Sequence, residues 1–213
     1  MKEDYTDITI LLDRSGSMDS IKKDMEGGFQ QFIKEQRKIP GDLRITLYEF
    51  NTELLNRYTE VSVYNVSRLD IIPRGTTALL DSAYTVIQQT GERLKNKSES
   101  ERPQHVIFTI ITDGMENSSK EVSRESLCKL IKQQENEYQW NFIYLGANQD
   151  AFAEGGSLGI MRGATITYHP TSASISNLYS TYSSAITRVR STADSVDSES
   201  FFSSEEQEEV DKA

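Results

Sequence analysis

Apolar residues in this chain fall into short runs that alternate with helical repeats. Ile8-Thr9-Ile10-Leu11-Leu12 is a strand-type run, apolar on both faces as the centre of a parallel sheet requires. The turn Asp13-Arg14-Ser15-Gly16-Ser17 follows, and Ile21, Met25, Phe29, Phe32 and Ile33 then recur at helical spacing. Leu43–Phe50 predicts a strand and the residues near Leu54–Val63 another. The short Asn51–Thr52 link makes these two an antiparallel hairpin at one sheet edge. After Gly75-Thr76-Thr77 comes a helix with Leu79, Leu80, Ala83, Val86, Ile87 and Leu94 on its apolar side. Val106–Ile111 is the clearest central strand and ends at Thr112-Asp113-Gly114. A helix around Glu121–Glu135, a strand at Asn141–Leu145 and a short helix near Asp150–Leu158 come next. A strand at Ala164–Tyr168 is stopped by His169-Pro170, and a helix with Ile175, Leu178, Tyr182, Ile186 and Val189 closes the pattern. This alternation predicts an α/β fold with a doubly wound, mostly parallel sheet. In such sheets ligands bind beyond the carboxyl ends of the strands.

Composition narrows the picture. The 213 residues, 36% hydrophobic, suffice for one core, and the single cysteine, Cys128, excludes an intramolecular disulfide. A net charge of −10 argues against a nucleic-acid binder. No apolar run approaches the ~20 residues of a membrane span. The opening MKEDYTDITI lacks a signal peptide's apolar stretch, so a soluble cytoplasmic protein is expected, with no membrane or nucleic-acid partner. Residues 194–213 hold eight acids and one base, −7 of the total charge. Their Ser- and Glu-rich composition, with Phe201–Phe202 as its one large apolar island, predicts a disordered acidic tail after a folded domain of residues 1–193. Lys95–Arg102 reads as an exposed loop.

Two loops begin with an aspartate directly after a buried strand, Asp13 and Asp113, and a charge there is costly unless it is neutralised. Ser15 and Ser17 add hydroxyls at alternate positions of the first turn, and Thr77 follows Gly75 in a third loop. Oxygen donors without nitrogen or sulfur describe a site for a hard divalent cation. With only two carboxylates against a double charge, the ion keeps an open position for a further acidic group. Gly-x-Thr spacing favours Thr77 over Thr76.

Asp13-Arg14-Ser15-Gly16-Ser17-Met18, with Gly75-x-Thr77 and Thr112-Asp113-Gly114, resembles a von Willebrand factor type A domain with a complete metal-ion-dependent adhesion site. The likeness spans roughly residues 5–190. It implies a Rossmann-like three-layer sandwich of strand order 3-2-1-4-5-6, with strand 3 antiparallel at the edge. It implies Mg²⁺, with Mn²⁺ or Ca²⁺ as substitutes, held by Asp13, Ser15, Ser17, Thr77 and Asp113 and completed by a partner protein's Asp or Glu. Phe142-Ile-Tyr-Leu-Gly-Ala-Asn148 and Arg74-Gly-Thr-Thr-Ala-Leu-Leu-Asp81 are similar to stand-alone type A proteins of bacteria and phages. Such proteins imply an AAA+ ATPase or another member of a multiprotein complex as partner, and a monomer is expected.

The expected function is therefore a non-enzymatic, metal-dependent protein-binding module. One alternative is a Mg²⁺-dependent hydrolase or phosphatase using the same aspartates. Against it, Ser15 stands where an aspartyl-nucleophile phosphatase carries its second carboxylate, and no Gly-x-Ser-x-Gly elbow or general base stands out. Another is a metal-independent scaffold working through its tail, and a third places the acidic tail on the metal as an internal ligand. His105, His169, Cys128 and Trp140 are read as structural, the last two as core. Gly155-Gly156 lacks the surroundings of a phosphate-binding loop.

Overall fold

The run at Ile8–Leu12 lies within a twelve-residue strand, β1 (Lys2–Asp13), buried continuously from Tyr5 to Asp13. Two parallel neighbours flank its edges and helices cover the sheet on both sides, so neither face meets water. The computed structural model describes residues 1–147 and 150–213. After β1 come α1 (Lys22–Gln36), β2 (Asp42–Phe50), β3 (Leu54–Ser62), α2 (Leu79–Lys95) and β4 (Pro103–Thr112). Then follow α3 (Arg124–Tyr138), β5 (Asn141–Ala147), α4 (Ala151–Ser157), β6 (Thr165–Tyr168), α5 (Ser172–Arg190) and α6 (Ser204–Asp211).

The sheet order is β3-β2-β1-β4-β5-β6, and β2–β3 is its antiparallel pair. Ile8 stands opposite Ile45 of β2 and Ile107 of β4, and Leu12 opposite Ile111. That register brings the carboxyl ends of β1 and β4 side by side. Helices cover both faces: α1 packs on α5 and α5 on α6, while α2 packs on α3. The Phe32 and Tyr182 rings, 4.8 Å apart, join α1 to α5. Trp140 is buried and stacks on Phe142, as its reading as core requires. Cys128 is only half-buried, so its reading as core is corrected. Among the described residues, no helix is long and apolar enough to cross a membrane.

α3 begins later than the apolar pattern suggests. The Asp81 carboxylate accepts the backbone N–H groups of Lys120, Glu121 and Val122 and holds them outside the helix. Ser123 then caps its first turn by accepting from Ser126.

A buried charge in mid-strand is handled in full. Asp7 of β1 is 0% exposed and receives a bidentate pair from Arg93 of α2, at 2.7 and 2.8 Å. The Tyr5 hydroxyl lies 3.1 Å from the same carboxylate and 2.8 Å from Glu60.

The acidic tail departs from expectation, because residues 194–213 are folded onto the body. Phe201, Phe202 and Val210 are all buried in the main core. Asn141 donates to the Val196 carbonyl, and Phe202 N–H donates to Gly163 O. A Cβ at Gly163 would overlap the Glu199 backbone, so the crossing there needs glycine. α6 then lies on β6, where Gln207 donates to the carbonyls of Arg162 and Thr165, and Arg188 of α5 pairs with Glu206. Three apolar anchors and a set of backbone bonds thus offset the ordering entropy that composition alone leaves uncovered. Truncation after Arg190 is expected to cost roughly 4 kcal/mol or more from the lost burial of two phenylalanines and a valine. Thermal unfolding of the truncated chain should then fall by about 8–16 °C; a fall of a degree or two would mean that the tail contributes nothing.

Candidate metal centre

The site is built where β1 and β4 end. Asp13 closes β1, and its carboxylate accepts from Ser15 N–H at 2.6 Å and from the Thr112 hydroxyl at 2.6 Å. A short 3-10 turn at Gly16–Ser20, anchored by the buried Met18, carries Ser17 back over the strand ends. The Ser15 and Ser17 hydroxyls lie 3.0 Å apart, and Ser17 donates to Asp113 Oδ1 at 2.8 Å. Asp13, Ser15 and Thr77 are all but inaccessible and Asp113 is 9% exposed, whereas Ser17 faces solvent.

Thr77 arrives on a separate loop held to the first. Gly16 N–H donates to Gly75 O, and Gly75 takes a left-handed φ of +73° that disfavours a side chain. The position a Cβ would occupy at Gly114 measures the convergence: Thr77 Oγ1 is 3.3 Å from it, Ser17 Oγ 3.6 Å and Asp13 Oδ2 3.9 Å. Thr76 is exposed and accepts from the Ser118 hydroxyl. All five residues singled out from the sequence therefore lie in one cluster.

Electrostatics set this cluster apart from Asp7. Among the described residues, no ion pair reaches Asp13 or Asp113. Burial pushes the Asp13 carboxyl up to about 6, against the lowering effect of its Thr112 and Ser15 donors, and the nearby Asp113 charge adds to the rise. Asp113 is also raised, by burial, with Ser17 opposing. A doubly charged cation would remove both penalties. Among the described residues, no three His, Cys, Asp or Glu side chains gather as a metal-ligand group. The donor set here is two carboxylates and three hydroxyls, which fits a hard cation.

Sequence reasoning missed the residues that fix the loops. Buried Asn51 donates to Arg74 O at 2.7 Å and accepts from Glu53 N–H and, on its own carbonyl, from Ala78 N–H. Asn117 accepts from Thr77 N–H and returns its own N–H to Thr77 O. Glu116 accepts from the N–H groups of Leu80, Ser118 and Ser119. Burial pushes its carboxyl up, but those donors outweigh it and hold it below the usual range. The one available signal was an asparagine directly after a buried strand. The histidines lie elsewhere: His105 bonds Thr192 O and His169 pairs with Asp211.

No family model matches the sequence, and no curated protein does. Solved structures do. A von Willebrand factor type A protein from Catenulispora acidiphila superposes with a TM-score of 0.58 at 14% identity, over 90% of this chain and 43% of that one. Proximal thread matrix protein 1 from the mussel byssus gives 0.59 at 14% identity, over 88% and 47%. This chain has the von Willebrand factor type A fold. The pilus adhesin SpaC of Lactobacillus rhamnosus GG, in an open conformation, matches this chain with a TM-score of 0.66 at 10% identity, over 89% and 30%. The mussel protein is also known with zinc occupying its metal-ion-dependent adhesion site. This chain spans less than half the length of each of these proteins. Asn148, the last residue of the Phe142–Asn148 likeness, lies outside the described residues.

The raised Asp13 carboxyl fixes the sign of a pH effect. Without metal, the folded state holds this proton more tightly than the unfolded chain, so Asp13 costs nothing below pH ~4 and its full penalty above pH ~6. Asp13→Asn in EDTA is therefore expected to stabilise the fold by up to about 3 kcal/mol at pH 7.5 and hardly at all at pH ~4. Urea unfolding at the two pH values checks this, and an equal effect at both would contradict it.

Proposed function

We propose that the chain is a divalent-metal-dependent protein-binding module. Asp13, Ser15, Ser17, Thr77 and Asp113 would hold the cation, Mg²⁺ in the first place with Mn²⁺ or Ca²⁺ as substitutes. An Asp or Glu of a partner protein would complete its shell. One contrast carries this reading: Asp7 is buried against a guanidinium, while Asp13 is buried with no ion-pair partner among the described residues, beside three hydroxyls and a second carboxylate. The zinc-occupied site of the mussel protein supports a divalent ion at this place in the fold, and the pilus adhesin supports binding as the role. An AAA+ ATPase or another component of a cytoplasmic multiprotein complex, met by a monomer, belongs to the same proposal.

Hydrolysis has less support, since both histidines are engaged away from Asp13 and Asp113. The tail is a poor candidate for a working surface or an internal ligand, because its apolar anchors are spent on the core and α6 lies along β6.

Thermal unfolding in EDTA and in ~10 mM Mg²⁺ tests the metal. For a dissociation constant on the order of 0.1–1 mM, stabilisation is roughly 1.4–2.7 kcal/mol, a shift of about 3–10 °C in wild type and none in Asp13→Asn. The shift should shrink below pH 6, where a proton competes for Asp13. Equal unfolding in EDTA and in Mg²⁺, Mn²⁺ or Ca²⁺ would overturn the reading.

A further inference from the structure

Beside the two aspartates, on the β2 side, lies a cluster with an excess of positive charge. Arg14 stands in the chain between Asp13 and Ser15, and its Nη2 lies 3.2 Å from Glu53 Oε2 in the β2–β3 turn. Arg74, next to Gly75, brings its Nη2 within 2.9 Å of the same oxygen. Two guanidiniums thus share one carboxylate oxygen. The Arg14 side chain is 5% exposed, and its buried Nε has no hydrogen-bond partner among the described residues. Arg74 and Glu53, by contrast, are 60% and 65% exposed.

The cluster is tied to the loops that carry Ser15, Ser17 and Thr77. Arg74 N–H donates to Arg14 O at 2.9 Å, Asn51 Nδ2 to Arg74 O at 2.7 Å, and Gly16 N–H to Gly75 O at 3.0 Å. Glu53 is therefore a solvated anion on a rigid basic platform. An incoming carboxylate can take its place on exposed Arg74 while Arg14 keeps it.

We propose that Arg74, with Arg14 and Glu53 behind it, is a second carboxylate-binding subsite. The partner is then a protein segment with two acidic side chains a few residues apart, one for the metal and one for Arg74. This rests on the metal-dependent reading above. Glu53 holds the subsite until the second carboxylate displaces it, so the pair sets selectivity for acidic segments over single acids.

The test is fluorescence anisotropy with labelled Gly-Ser peptides carrying one Glu, or two Glu separated by one to three residues, in millimolar Mg²⁺ and in EDTA. In Mg²⁺ one spacing of the paired peptide should bind wild type about three- to fivefold more tightly than the single-Glu peptide. Arg74→Gln should erase that advantage while leaving the single-Glu affinity and the Mg²⁺-dependent melting shift in place. Glu53→Gln should enlarge it. Binding of the single-Glu peptide with no gain at any spacing, or an equal loss for both peptides in Arg74→Gln, overturns this inference alone. Failure of every peptide to bind wild type in Mg²⁺ overturns it together with the reading on which it rests.

Discussion

Two like charges at the ends of adjacent buried strands are the constraint around which this molecule is arranged. Parallel pairing of β1 and β4 sets Leu12 opposite Ile111, so Asp13 comes level with Thr112 and Asp113 follows one residue beyond, near enough for its charge to act on Asp13. Strand pairing is dictated by the apolar core, so the repulsion cannot be relieved by sliding one strand, which would turn its apolar residues to the wrong face. The neighbourhood answers with dipoles: the Thr112 hydroxyl and Ser15 N–H on Asp13, the Ser17 hydroxyl on Asp113. These donors moderate the charge without cancelling it. At Asp7, six positions earlier on the same strand, a whole guanidinium does the cancelling.

Most of the fold was legible because its central strands are buried on both faces and its helices on one. Continuous apolar runs and helical repeats survive in the sequence as two separable patterns. Two of the three loops of the candidate metal centre were legible for a different reason: an aspartate after a buried run is conspicuous, whereas the Thr77 loop stood out only through its Gly-x-Thr spacing and the family resemblance. The supports behind them were not. Asn51, Asn117 and Glu116 act on backbone N–H and C=O groups of distant loops, and such bonds leave no spacing in the chain.

The tail failed for a reason that composition cannot reveal. Its apolar content is low on average, yet Phe201, Phe202 and Val210 are placed so that each reaches the core. The backbone bonds that finish the job come from partners already in place, such as Gly163 O and the carbonyls beside β6. A segment that folds onto an existing surface needs fewer anchors than one that must build its own core. Helix α3 is the smaller case: its start was displaced by Asp81, a residue in another helix.

The docking of α6 along β6 has a consequence for biosynthesis. A sheet edge is a template for pairing with other chains until something covers it. Ser204, where α6 begins, follows Tyr168, the last residue of β6, by 36 positions. At the usual pace of translation those positions take roughly 2–8 s to add. Until α6 docks, the carbonyls of Arg162 and Thr165 lack their Gln207 donor and the β6 flank of the sheet lies open to pairing with another chain.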